Sequence, residues 1–271
     1  MEGHIEILLE TNHNSTQIKA ALFDFDGTLS TLRHGWEKIM EPLMLEMISG
    51  KTEIDNELVK EVREYIDSST GIQTYYQMKW LAEAVARHGR NPEASSDPWW
   101  YKKEYNDRLM EPVEKRIEKI MRGDSSASDF MIKGSMEFLQ ALSDRDIDIY
   151  AASGTDDPDV KKEAEVLGLG KYFKEISGAP LGRADCSKEA VLGRLVNDNK
   201  LHGSELVVIG DGKVEIALGR MVGAITLGVA SNEEERSGVN HVKRERLMKA
   251  GAHSIVGDFE QLEELLSWMA I

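Results

Sequence analysis
Apolar and polar positions along the chain follow two different patterns. From about residue 130 onward, short apolar runs alternate with helical spacing. Strands are predicted at "DIYAAS" (148–153), "ELVVIG" (205–210), "AITLGV" (224–229) and "SIV" (254–256). Helical patterns fill the gaps at 134–143, 157–168, 187–197, 213–221, 240–250 and 259–269. Asp157 is the expected N-cap of the second, with Pro158 at its first helical position, and Ser187 is the expected cap before Lys188. Strands alternating with helices predict a mostly parallel sheet covered on both faces. One further buried strand, residues 20–24, stands apart from this array.

The intervening stretch is helical throughout. Trp36, Ile39, Met40, Leu43, Met47 and Ile48 fall at three- and four-residue spacing. Further helices are predicted at 54–67, at 72–88 with a stop at Gly89, and at 99–121 with Pro112 as a kink point. The small, polar "RGDSSASD" (122–129) then reads as a linker or hinge. Residues 4–11 read as an edge strand or a flexible tail. The economical topology places strand 20–24 in the same sheet and inserts the helical block as a second domain.

Composition narrows the class. The 271 residues are 41% hydrophobic and 30% charged, as in ordinary soluble globular proteins. No apolar run is long enough for a membrane helix, and the N-terminus lacks the basic and apolar regions of a signal peptide. The single cysteine, Cys186, excludes an intramolecular disulfide framework and fits a reducing compartment, so a cytoplasmic location is expected. A net charge of −15 argues against nucleic-acid and membrane partners. It also means that an anionic substrate needs a metal or local cations to reverse the field.

Candidate chemistry concentrates where the strands end. Ligands bind beyond the carboxyl ends of parallel strands. Asp24, Asp26 and Thr28 follow the first strand in "KAALFDFDGTLS", Ser153 and Gly154 follow another, and Asp211 and Glu215 lie in "IGDGKVE". Lys188 opens a helix leading into the sheet. Each has a plainer reading: Asp-Gly marks turns, and Glu215 suits the first turn of a helix. Their convergence from four segments favours chemistry. Asp24 then attacks as a nucleophile, and Asp26 protonates the leaving group and later activates water. Gly27 lets the backbone turn close to the ligand. Thr28 bonds the transferred group or holds Asp26. Lys188 neutralises nucleophile and phosphoryl group, Ser153 donates its hydroxyl and Gly154 its amide. Hard oxygen donors suit Mg²⁺, with Asp24 and Asp211 as ligands and Glu215 close behind them. A dinucleotide fingerprint is discounted in "GDGKVE", because the third glycine is missing and a carboxylate there repels a pyrophosphate. No P-loop, H-E-x-x-H or C-x-x-C motif occurs.

In this order, "DFDGT", "SGT", a lysine near a helix start and "GDGKVE" resemble the motifs of the haloacid dehalogenase-like hydrolases. The resemblance covers residues 18–30 and 130–271. It implies an α/β fold: a Rossmann-like parallel sheet with helices on both faces, plus an inserted all-helical cap of the C1 type. Asp24 resembles the family nucleophile and Asp26 its acid/base; Ser153, Lys188 and Asp211 fall on the second, third and fourth motifs. Glu215 stands where an Asp is commoner. The resemblance makes Asp24, Asp26, Asp211 and Glu215 the expected metal-site residues. With 129 positions between Asp24 and Ser153 but 23 between Lys188 and Asp211, the cap falls after the first motif. The expected domains are a core of 1–30 and 129–271 and a cap of 31–128, hinged near residues 31–35 and in the Ser-rich linker.

An acid at Asp26 favours phosphate monoesters. The expectation is a Mg²⁺-dependent phosphatase of a small phosphorylated metabolite acting through an aspartyl-phosphate. A sugar-phosphate mutase using the same Asp pair, or a non-catalytic binding scaffold, are the alternatives. Arg33 and His34, just past the first motif, are placed at the pocket mouth, with Arg33 as a substrate contact. Aromatic and basic residues at 75–80 and 99–103 read more plainly as helix packing and solvated lysines than as a substrate surface.

Overall fold
A computed structural model describes residues 5–11, 17–184, 188–198 and 201–271 of the chain. Cys186 and the expected cap Ser187 lie outside the described residues. The elements run β1 (Glu6–Ile7), β2 (Ala20–Phe23), α1 (Glu37–Ser49), α2 (Asn56–Ser68), α3 (Thr74–His88), α4 (Pro98–Arg122) and α5 (Ser135–Ser143). There follow β3 (Asp148–Asp156), α6 (Asp157–Val166), β4 (Glu175–Ala179), α7 (Lys188–Asp198), β5 (Leu206–Gly210), α8 (Lys213–Met221) and β6 (Ile225–Val229). The chain closes with α9 (His241–Ala250), β7 (Ser254–Val256) and α10 (Leu262–Met269).

Among the described residues the strands form one sheet in the order β1-β7-β6-β5-β2-β3-β4. All pairings are parallel except that of β1 with β7 at the edge. β2 is central, its four residues buried on both sides. Side chains alternate along it. Ala21 and Phe23 face one layer with Ile149, Ile209 and Phe138, and Phe138 stacks on Phe259. Ala20 and Leu22 face the other layer with Val208 and with Val191, Leu192 and Leu195 of α7. Two buried faces explain why these strands read as continuous apolar runs rather than alternation.

The strand β4 was not expected. Its sequence, Glu-Ile-Ser-Gly-Ala, carries no apolar run, and it exists by pairing with β3 at the sheet's far edge. β3 is longer than expected, running on through Ser153 and Gly154 to Asp156 with a register shift after Ala152. The N-cap of α6 consequently falls on Asp156 rather than Asp157. Asp157 sits in the first turn, where its carboxylate accepts from the Gly178 amide at 3.0 Å.

Helices α1 to α4 form a block between β2 and β3. Their apolar faces pack together through Met40, Leu43, Met44, Leu58, Val62, Met78 and Leu81. Asp55 caps α2 by accepting from the Leu58 amide, and Gly89 ends α3 in a left-handed conformation. α4 continues past Pro112. The two chain crossings between block and sheet lie side by side, with a bridge between Ser30 and Met131 and a hydrogen bond from the Ile132 amide to the Leu29 carbonyl. No helix among the described residues is long and apolar enough to cross a membrane.

Candidate active site
The sheet ladder delivers the first carboxylate. The Asp24 amide donates to the Ile209 carbonyl at 2.8 Å, so Asp24 is fixed at the C-terminal end of β2 beside β5. Phe25 turns into the core, and Gly27 takes a positive φ of 76°. A Cβ on Gly27 would stand 2.4 Å from an Asp211 carboxylate oxygen, so the turn and the approach of the two loops both demand glycine. β5 delivers Asp211. Thr28 anchors it: its hydroxyl accepts from the Asp211 amide at 3.0 Å. Thr28 is fully buried, so the expectation that it meets the transferred group or holds Asp26 is corrected; it ties the two acidic loops together.

Asp24, Asp211 and Glu215 each offer a carboxylate oxygen within 4.8 Å of the others, and all three are buried. Lys188 Nζ lies 2.7 Å from Asp24 and 3.0 Å from Glu215. The other Glu215 oxygen accepts from the Gly212 amide at 2.6 Å. This side chain lies over its own loop so closely that a Cβ on Gly210 would reach 2.4 Å from its Cγ and 2.5 Å from its Oε1. That explains the glycines of "GDG", and it places Glu215 as the residue that holds Lys188.

Asp26 points elsewhere. One of its oxygens accepts from Thr155 Oγ1 at 2.8 Å and Ser153 Oγ at 3.2 Å. The other is buried without a hydrogen-bond partner. Asp26 therefore contributes no side-chain oxygen to the acidic trio, because the hydroxyls of Ser153 and Thr155 on β3 hold its carboxylate. Ser153 lines the cavity; its hydroxyl donates to Asp26 and accepts from the Thr155 amide at 3.0 Å, and Thr155, given no role in the sequence reading, also holds Asp26.

Arg33 is buried and lines the cavity, but it meets carboxylates there. It bonds Glu163 through Nη2 at 2.7 Å and Nε at 3.0 Å, with Asp159 at 3.6 Å and Asp26 at 3.9 Å. The cavity is further lined by Gly154, Thr155 and Glu233 from the sheet side and by Trp36, Thr74, Gln77, Tyr105 and Leu109 from the helical block. Aromatic and basic residues of 75–80 and 99–103 do not line it: Tyr65 stacks on Trp80, and Lys102 pairs with Asp156.

Sequence reading missed a second lysine. Lys243, in the first turn of α9, lies 2.6 Å from Asp211 and 2.7 Å from Glu233. Glu233 in turn faces His34 at 3.6 Å. No local signal marks them: Glu233 opens an acidic run that looks like solvated surface, and Lys243 looks like a helix-surface lysine.

Burial pushes Asp24 well above the usual carboxylate range, with Lys188 opposing and Glu215 and Asp211 reinforcing. Burial also raises Asp211, against Lys243. Burial alone would lower Lys188, yet Asp24 and Glu215 pull it upward. All these shifts express one condition: a buried excess of negative charge that two lysines do not balance. A hard divalent cation fits this donor set, since it favours carboxylate oxygen and needs few protein ligands. Asp24 and Asp211 would be the residues to hold it.

The α/β sheet, with an acidic cluster beyond the carboxyl ends of its central strands and a helical block over it, defines the class. Residues 18–223 match the family model of haloacid dehalogenase-like hydrolases, and the chain belongs to that family of hydrolases. Comparison with curated proteins finds no match. Among solved structures the fold is similar to a β-phosphoglucomutase from Clostridium difficile (17% identity, TM-score 0.62, covering 94% of this chain and 98% of the other). It is equally similar to a predicted phosphoglycolate phosphatase from Haemophilus somnus (15% identity, TM-score 0.62, 92% and 98% covered). A haloacid dehalogenase-like protein from Streptococcus pneumoniae follows (16% identity, TM-score 0.57, 93% and 98% covered).

Proposed function
We propose that the protein is a Mg²⁺-dependent phosphatase of a small phosphorylated metabolite, with α1 to α4, within residues 31–128, as the cap over its site. The observation that carries this reading is the division of labour between two aspartates. Asp24 lies against Lys188 with its carboxylate on the cavity, while Asp26 is oriented through one oxygen and leaves the other without a hydrogen bond, 3.9 Å from Arg33.

An Asp24 oxygen attacks phosphorus, and the ester P–O bond breaks. Protonated Asp26 gives its proton to the departing alkoxide. Its carboxylate then takes a proton from water, which attacks the aspartyl-phosphate; phosphate leaves and Asp24 is restored. Lys188 lowers the repulsion between Asp24 and the incoming anion. Bound Mg²⁺ supplies positive charge to the phosphoryl oxygens. Closure of the helical block over the cavity excludes bulk water.

A mutase of the same chemistry must hold a second phosphate, and the cavity's two cations among the described residues, Arg33 and Lys188, are both ion-paired already. The phosphatase reading is therefore preferred. The test is phosphate release from a panel of sugar phosphates, nucleotides and p-nitrophenyl phosphate, with and without Mg²⁺. Metal-dependent release that Asp24→Asn abolishes is expected. A folded protein that releases nothing overturns the reading.

A further inference from the structure
Resting on the phosphatase reading, we propose that the pocket takes phosphate monoesters whose alcohol carries no second negative charge, and that Glu163 is the residue that sets this preference. Arg33 stands on the leaving-group side, 3.9 Å from the carboxylate of Asp26. It is the one cavity-lining cation, among the described residues, not already committed to Asp24. A substrate carboxylate or second phosphate would look to it first.

Glu163 has taken that place. It comes from α6 and grips the guanidinium through two nitrogens at 2.7 and 3.0 Å. Both side chains are buried, Glu163 at 1% exposure. Asp159 and Asp26 surround the same guanidinium, so three carboxylates face one positive charge. Glu233 adds another carboxylate to the wall. The side facing the helical block offers Trp36, Thr74, Gln77, Tyr105 and Leu109, none of them charged. A distal anion would have to displace a buried, bidentate partner and leave Glu163 without its counter-ion, which is costly. A hydroxyl or an apolar group there meets no such penalty. Discrimination of this kind works by repulsion of the wrong substrate as much as by attraction of the right one.

The matched pair 2-hydroxyethyl phosphate and 2-phosphoglycolate differ only in that distal group. Both are assayed with Mg²⁺ for hydrolysis and as competitors of p-nitrophenyl phosphate hydrolysis, so that each gives a kcat/KM or an inhibition constant. Wild type should favour hydroxyethyl phosphate by about tenfold or more, the scale of one charged contact. Glu163→Gln keeps the shape but removes the nearest of the three negative charges that face Arg33. It should move the ratio toward phosphoglycolate by about tenfold, through KM or the inhibition constant rather than kcat. A wild type that treats the two alike or prefers phosphoglycolate overturns the proposal, even if Glu163→Gln does not fold. So does a folded Glu163→Gln with the wild-type ratio. Hydrolysis of none of the three esters, p-nitrophenyl phosphate included, overturns instead the phosphatase reading and this assignment with it.

Discussion
At the scale of single residues, the site depends on close approaches between its own loops. Gly27 is the sharpest case, because a methyl group there collides with Asp211 and must also sit at a φ of 76°. Gly27→Ala should cost about 1–3 kcal/mol in chemical denaturation, the range for a residue held in a sparsely populated backbone region. Titration calorimetry should show Mg²⁺ affinity reduced by about tenfold or more, as when the residues that orient a metal ligand are changed. Glu233 gives a pH prediction. Burial alone would raise its carboxyl, but His34 and Lys243 hold it at about 2, below its ordinary value of 4.5. The folded state thus favours the ionised form. That stabilisation is complete above pH 4.5 and is lost as pH falls from 4.5 toward 2. Thermal melts of Glu233→Gln should show a shallower fall in Tm over that window than wild type; an equally steep fall would contradict the assignment. Asp24, Ser153 and Asp211 were legible because each ties a residue type to a strand end, and Lys188 because it opens a helix. Lys243, Glu233 and Glu163 were not, since their partners lie 32, 10 and 130 positions away and nothing local marks them.

Between elements, one buried link from the helical block to the sheet runs from α4 to the end of β3. Lys102 and Asn106, one helical turn apart, both bond Asp156, and the Lys102–Asp156 pair is buried. Asp156 follows directly on Thr155, which bonds Asp26, so this grip fixes the end of β3 that orients the proposed proton donor. Removing one partner of a buried pair leaves an uncompensated charge. Lys102→Met should destabilise by about 3–5 kcal/mol in urea unfolding. Lys102→Met with Asp156→Asn should recover most of that loss, and failure to recover it would show that the lysine acts by packing. The apolar strands were readable as elements because both faces are buried. β4 was not, because an edge strand of small and polar residues is made by its neighbour's hydrogen bonds rather than by its own pattern.

Over the whole molecule, charge opposes the proposed substrate. A protein of net charge −15 repels a phosphate dianion until it reaches the local cations of the site. Added salt screens that repulsion. At fixed Mg²⁺, kcat/KM for a phosphate monoester should therefore rise, by about twofold or more, between low and physiological ionic strength. A fall would mean that the local field around the cavity mouth attracts anions despite the net charge. The paired crossings at Ser30 and Met131 show why so long an insertion leaves the sheet undisturbed: the chain departs and returns at one point.

Sequence alone determined the class of fold and the identity of the acidic and basic groups at the strand ends. Those depend on residue type and on spacing within a strand or a helix turn, and both are local. Only the tertiary structure decided which groups each carboxylate faces. It turned Asp26 away from Asp24 and Asp211 toward two hydroxyls, set Thr28 behind Asp211, gave Arg33 to Glu163 and brought Lys243 onto Asp211. Pairings of this kind depend on where separate loops come to rest on a shared sheet edge, which no stretch of the chain encodes by itself.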